Sequence, residues 1–308
     1  QQLTLFPLIS MSYGCIFTAR RIQISYDDLL QQLNGDINSD QLYLQNQLHT
    51  TLSGLKALLT TEVGNGMERA RRACGGHGFS SSSNIPHLIN VFIGSLTFEG
   101  TFDVLVQQHT SSLLKRLHKP VNVRTRDQSM DLFGFLNVDP HETCIASSPS
   151  LLLEPPVLLR AFQVRALKTL LQSSHHRTSL HFQSRASMGH AESVLLQCFY
   201  DGVLEITDKP LQAVMFQLWQ LYALWRMNEH LGEFRMDNYL NAQQASWVQE
   251  SMLGMLAKIR PNAIPLVDGF GITDFELNSA IGRYDGDIYR ALIERAAKEP
   301  LNKTDVVE

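Results

Sequence analysis

The sequence predicts an all-α fold of two helical-bundle domains, on three observations. Apolar residues recur at three- and four-residue intervals over long stretches, as the faces of amphipathic helices require. No alternating apolar and polar pattern of comparable length appears, so strands are not expected. The chain's 308 residues exceed the size at which one hydrophobic core keeps growing, which favours two domains. No repeat at a fixed period organises the chain.

The first helix is expected from Leu3 to about Leu33, because Leu8, Met11, Cys15, Ala19 and Ile22 fall on one stripe. Pro7 is placed in its first turn, where a missing N–H costs nothing. Asn34-Gly35-Asp36 breaks the pattern, and a second helix from about Asp40 to Arg72 completes a hairpin. Gly75 to Ser83 is too rich in Gly and Ser for a regular helix. Periodicity resumes from Phe102 to Lys119 through Val104, Leu105, Leu113, Leu114 and Leu117. The polar, irregular stretch from Pro120 to Ser150 marks the domain boundary, giving domains over 1–125 and 151–308 with a linker over 126–150. Three helical stretches follow. The clearest runs from Pro210 to Leu231, with Gly232 as its cap, and another ends before Pro261.

Composition excludes several classes of function. A net charge of -4 and only short basic stretches, such as Lys115-Arg116, leave no stripe to track a nucleic-acid backbone. Apolar runs stay far below the ~20 residues that span a bilayer, so no membrane span is expected. Cys15, Cys74, Cys144 and Cys198 lack C-x-x-C spacing, which points to free thiols in a reducing compartment. The chain begins at Gln1 without a signal peptide and ends in Asp305-Val306-Val307-Glu308 without a tripeptide such as S-K-L.

The chemistry concentrates in Ala73-Cys74-Gly75-Gly76-His77-Gly78-Phe79-Ser80 and, downstream, Leu96-Thr97-Phe98-Glu99-Gly100-Thr101. A Gly-Gly-x-Gly loop lets backbone approach a flat ring or a phosphate, since no Cβ intervenes; alone it reads more readily as a helix-breaking turn. Glu99 follows Phe98 immediately before a helix, where desolvation would raise its pKa and strengthen it as a proton acceptor. A capping glutamate is the plain alternative. His175, His176 and His181 lack a carboxylate or cysteine to complete a metal shell, so no metal site is expected. Trp219, Trp225, Met215, Met252 and Met255 share helical stripes and are assigned to the core. Arg283-Tyr284-Asp285-Gly286 is expected as a packed turn with a buried ion pair.

Taken together, the stretch from Glu68 to Gln107 resembles the acyl-CoA oxidase family of the acyl-CoA dehydrogenase superfamily, whose pattern runs A-C-G-G-H-G-Y-S and then T-F-E-G. Leu5-Phe6-Pro7-Leu8, Leu266-Val267-Asp268, Gly282-Arg283-Tyr284-Asp285-Gly286 and Pro300-Leu301-Asn302-Lys303 extend the resemblance over nearly the whole chain. It implies the peroxisomal enzyme's C-terminal helical half. FAD would oxidise a fatty acyl-CoA to the trans-2-enoyl-CoA, and molecular oxygen would become hydrogen peroxide. In that scheme Glu99 removes the α-proton while its backbone N–H bonds the thioester carbonyl. Gly75, Gly76, Gly100 and Thr101 match positions against FAD, partly across the interface of a homodimer. Thr101-Phe102-Asp103 departs from the family's usual Asp-Asn-Thr, which puts the adenosine-end contacts in doubt.

The family places a helical domain and a β-barrel domain before the point matching Gln1, so the resemblance implies that both are absent here and that this chain alone is inactive. A non-catalytic scaffold with an oxidase-like fold is the competing expectation. An acyl-CoA dehydrogenase is disfavoured, because those chains usually end soon after the first helical domain.

Overall fold

The computed structural model describes residues 1–32, 39–118 and 132–303, and among them there is no β-strand. The all-α expectation holds. The turn expected at Asn34-Gly35-Asp36 and the first part of the linker lie outside the described residues.

Helix α1 (Gln2–Gln32) buries the stripe Phe6, Met11, Ile22 and Leu29. Pro7 sits in its second turn rather than its first, where proline removes one hydrogen bond to the preceding turn. By length and a mean hydropathy of 1.2 alone, α1 is the one described helix long and apolar enough to cross a bilayer. Its packing is that of a core helix. Ser10 Oγ donates to the Leu218 carbonyl at 2.5 Å, and Gly14 lets Leu195 and Phe199 close on its backbone.

Helix α2 (Ser39–Ala73) packs against α1, α3 (Ile85–Ile93) and α4 (Phe102–His118). Beyond the linker come α5 (Pro149–Leu152), α6 (Pro155–His175), α7 (Leu180–Leu204), α8 (Lys209–Glu229), α9 (Leu231–Phe234) and α10 (Ala242–Ile259). The chain then shortens into α11 (Ala263–Asp268), α12 (Asp274–Leu277) and α13 (Ile288–Lys298). Four long helices therefore follow the linker, one more than expected: α6 and α7 carry buried residues around much of their circumference, which blurs the amphipathic period.

Caps explain several boundaries. Asp208 accepts from the Leu211 N–H at 2.8 Å to start α8, and Asn241 with Gln244 forms a capping box on α10. Helix α8 ends at Glu229, not at Leu231, and Gly232 lies inside α9. His230, not glycine, leaves helical geometry at this end (φ -112°, ψ 29°), and its ring accepts from Arg226 Nη2 at 2.8 Å.

The described end of the linker is packed. Phe133 and Phe135 are buried against His190, and Gln244 Nε2 donates to the carbonyls of Cys144 and Ala146 at 2.9 Å each. One continuous apolar core runs from α1 and α2 through α6, α7, α8 and α10, with Trp219, Trp225, Met215, Met252 and Met255 inside it as expected. All four cysteines are unpaired.

Inside this core lies a charged network. The Glu192 carboxylate on α7 has no exposed surface; it accepts from Arg165 on α6 and, at 2.5 Å, from Arg226 on α8. Arg226 also reaches Glu62 on α2 at 3.2 Å, and Arg165 reaches Glu233 on α9 at 2.6 Å. Burial by itself would raise the Glu192 pKa, but the two guanidiniums outweigh it and hold the carboxyl well below its usual range. A neutral chain runs alongside, from Ser187 to His109 Nδ1 (2.8 Å), from His109 Nε2 to His190 Nδ1 (3.0 Å), and from His190 Nε2 to the Leu132 carbonyl (2.8 Å).

Two outcomes follow. Replacing Glu192 by Leu leaves two buried guanidiniums short of an anion, and equilibrium unfolding is expected to show a loss of about 3–5 kcal/mol. Burial lowers the pKa of both histidines, that of His190 to about 4. Groups lowered in the folded state destabilise it when protonated, so this stability is complete above the unfolded-state pKa near 6.5. It drains as pH falls from there towards about 4, on the order of 3 kcal/mol for His190. Urea midpoints measured across pH 7 to 4 are expected to fall in the wild type and to fall less in a His190→Phe variant.

Candidate active site

Helix α2 stops because Gly75 turns left-handed (φ 60°), after which residues 75–78 wind into one tight turn. Gly78 is obligatory: a Cβ there would stand 2.1 Å from the Arg71 carbonyl oxygen. Gly75 and Gly76 differ, since a Cβ on either meets nothing within 4 Å. They present bare, exposed backbone. His77 is exposed and has no hydrogen-bond partner among the described residues, so it does not brace this loop.

The C-terminal segment braces the loop instead. The Ser82 carbonyl accepts from the Ala280 N–H at 2.8 Å and from Arg295 Nη1 at 3.1 Å, and Asn84 Nδ2 donates to the Leu277 carbonyl at 2.8 Å. The nearby Arg283–Asp285 ion pair corrects an expectation. It is exposed rather than buried, because both residues sit on a solvent-facing turn with Tyr284 84% exposed.

From Ser83, α3 runs back along α2, so that Phe92 and Leu96 reach Gly64. The following loop carries Glu99 at φ 60° and Gly100 at φ 107°. A non-glycine residue in the left-handed region costs on the order of 1 kcal/mol and persists only where its surroundings impose it. Here Lys56 on α2 imposes it. Its Nζ donates to the carbonyls of Ser95 (2.9 Å), Phe98 (2.8 Å) and Gly100 (2.7 Å), bracketing Glu99 on both sides.

Glu99 itself is exposed, and Phe98 beside it is 57% exposed, so the described residues do not form the apolar enclosure expected for the carboxylate. Nor does Glu99 cap α4. Neither its amide nor its carboxylate has a partner among the described residues. Thr101 is exposed at the start of α4, and behind it Leu105 and Val106 pack on Ala57. Phe102 additionally lines an open depression of about 560 Å³ shared with Arg165, Arg185 and His230, which the sequence did not reveal.

The two motifs are not brought together. Lys56 and the end of α2 are separated by seventeen residues of helix, roughly 25 Å at 1.5 Å per residue. The polar histidines form no site either: His176 stacks on Phe182 at 4.2 Å, and among the described residues no group of acidic, His or Cys side chains could hold a metal.

Comparison with known proteins identifies the family to which this all-helical fold belongs. The family models "Acyl-CoA oxidase, C-alpha1 domain" and "Acyl-CoA oxidase" match residues 1–114 and 154–308. The chain belongs to the acyl-CoA oxidase family. It is 33% identical to peroxisomal acyl-coenzyme A oxidase 1 of Cavia porcellus, over 100% of this chain and 49% of that protein. It superimposes on Arabidopsis thaliana acyl-CoA oxidase 1 with a TM-score of 0.91 and 29% identity, covering 48% of that chain. Acyl-CoA oxidase-2 of Caenorhabditis elegans, solved with FAD, ascaroside-CoA and ATP, gives a TM-score of 0.87 at 28% identity and 46% coverage of that chain. This chain thus spans about half the length of the relatives it matches.

The loop geometry predicts a contrast between neighbours. Gly78→Ala is expected to lower the thermal midpoint by several degrees, because backbone must move. Gly76→Ala, with open space before it, is expected to leave the midpoint unchanged. Differential scanning fluorimetry of the two variants checks this.

Proposed function

We propose that this chain is the helical half of a peroxisomal FAD-dependent acyl-CoA oxidase that converts fatty acyl-CoA to trans-2-enoyl-CoA, with Glu99 as the base. The observation that carries the proposal is the Glu99 loop: a strained backbone, held from behind by Lys56, presents side by side a carboxylate and an amide that have no partner among the described residues. A scaffold has no use for that strain.

The exposed backbone of Gly75 and Gly76, with open space where Cβ atoms would stand, suits close approach of a flat or anionic group. Gly100 adds a left-handed turn (φ 107°) in which a Cβ would press on Leu105 at 3.1 Å, and Thr101 adds an exposed hydroxyl at the start of α4. These four residues fit FAD. When bound, FAD supplies the hydride acceptor, which oxygen later restores with release of hydrogen peroxide. Roughly 25 Å separate the two loops along α2, which supports a homodimer in which Gly75 and Gly76 of one copy serve the cofactor beside Glu99 of the other.

At the substrate, the Glu99 amide donates to the thioester carbonyl, so that negative charge can build on that oxygen. The Glu99 carboxylate takes the α-proton as the β-hydrogen leaves with its electron pair. Enclosure of the carboxylate by substrate, cofactor and the remaining half of the enzyme provides the low-polarity setting that the described residues do not form. Two helical domains, over 1–125 and 151–308, are proposed to act as one body through their shared core.

In the complete protein, Glu99→Gln is expected to slow substrate-dependent flavin bleaching by about 10²–10⁴-fold while flavin content is retained. Bleaching at the wild-type rate overturns the assignment.

A further inference from the structure

We propose that Lys56 is a positioning residue for this reaction: its ammonium group orients and polarises the Phe98–Glu99 peptide, aiming the Glu99 N–H at the substrate's thioester carbonyl. The proposal rests on the assignment of Glu99 given above.

The argument begins with peptide geometry. The Phe98 carbonyl and the Glu99 N–H belong to one planar trans unit, so they point in opposite directions. Lys56 Nζ sits 2.8 Å from the Phe98 oxygen, which directs the Glu99 N–H away from α2 and outwards. None of the described residues accepts from that N–H. Its orientation is therefore set entirely from the carbonyl side.

The anchor is rigid. Leu55, Ala57 and Leu58, on either side of Lys56, are buried at 3%, 0% and 1% exposure, so the backbone that carries the ammonium cannot drift. All three ammonium hydrogens are committed, to Ser95, Phe98 and Gly100 at 2.7–2.9 Å, and the Phe98 ring lies 5.9 Å from Nζ. The outer two bonds fix the loop before and after Glu99, and the central one acts on the peptide that matters.

Charge distinguishes this from an ordinary loop clamp. A full positive charge on a carbonyl oxygen draws electron density from the amide nitrogen, making the attached N–H a stronger donor. A donor of that kind binds a developing enolate oxygen more strongly than a neutral carbonyl, so its benefit falls on the transition state and not on substrate binding. No proton, electron or bond is transferred by Lys56 itself.

The test uses the complete FAD-loaded protein with Lys56→Met, Lys56→Gln and Lys56→Arg. Turnover of a fatty acyl-CoA is measured together with the pH at which a bound 3-ketoacyl-CoA ionises to its enolate. The latter is read from the ¹³C shift of the labelled thioester carbonyl and needs no turnover. The expected result is a kcat lower by at least about tenfold in Lys56→Met, with KM changed less than about threefold. The ligand's ionisation is expected to move up by about one pH unit, and Lys56→Arg to recover most of both effects. Lys56→Gln can still donate hydrogen bonds but carries no charge, and it is expected to resemble Lys56→Met. It also decides the matter where Lys56→Met fails to retain flavin.

Unchanged kcat and ionisation pH in the uncharged variants overturn the role of Lys56, as does Lys56→Gln matching the wild type. Glu99→Gln separates the two ideas. If that variant still bleaches flavin at the wild-type rate, the assignment of Glu99 falls and Lys56 with it; if it is inactive while the Lys56 variants are unaffected, only Lys56 falls.

Discussion

The carboxylate of Glu192 is the constraint on which the rest of this structure depends. A fully buried anion is tolerable only with cations on it, and Arg165 and Arg226 approach it from helices on either side of α7. Each guanidinium then needs its remaining donors answered. Arg226 finds Glu62 on α2, and Arg165 finds Glu233 on α9, its Nη2 alone left without a partner among the described residues. Five helical segments are thereby held in one arrangement by groups that cannot slide past one another as apolar side chains can. Apolar burial supplies most of the driving force for folding; the ion network restricts which packing satisfies it.

That restriction reaches the candidate site through α2. The same helix carries Glu62 into the charged core, Lys56 beneath the Glu99 loop, and Gly75 and Gly76 at its end. A rotation of α2 by even a fraction of a turn would break the Arg226 contact and swing the Lys56 ammonium off its three carbonyls together. The network and the loop are therefore coupled by a rigid element, not by any chain of side-chain contacts between them. The histidine pair adds to this coupling. Gly54 is bare because the His109 ring lies where a Cβ would be, 2.1 Å from its nearest atom, so α4 seats on α2 at one fixed depth.

Much of the fold was legible because helix periodicity, caps and breakers are local. The stripes of α1, α2, α8 and α10 emerge from apolar spacing, and Gly75 ends α2 for a reason visible in one residue. Legibility fails where the decisive contact is distant in sequence. His230, not Gly232, ends α8, and its ring belongs with Arg226 to a network that reaches Glu192 and Glu62, which no local window contains. The exposed Arg283–Asp285 pair was misjudged because charge complementarity says nothing about burial. At the site, the two motifs were recognisable as motifs, whereas Lys56 was not: one lysine on a helix carries no mark that its ammonium will meet carbonyls about forty residues downstream. Arg295 bracing Ser82 from the far end of the chain is hidden in the same way.

The distance between the loops sharpens what kind of site this is. In sequence, Gly76 and Glu99 lie close enough to suggest a single pocket, and the intervening α3 appears only to connect them. In space, α3 carries the chain back along α2, so one loop ends up at the helix terminus and the other beside its middle. A residue pair of this kind can act together only on a ligand long enough to span the interval, or across two copies of the chain. The proposed FAD in a two-fold assembly would satisfy both conditions, since each copy would then offer its glycine loop to one end of the cofactor and its glutamate to the other copy's. The exposure of Gly75, Gly76, Phe79 and Glu99 is consistent with that proposal, under which these surfaces would become interior on assembly.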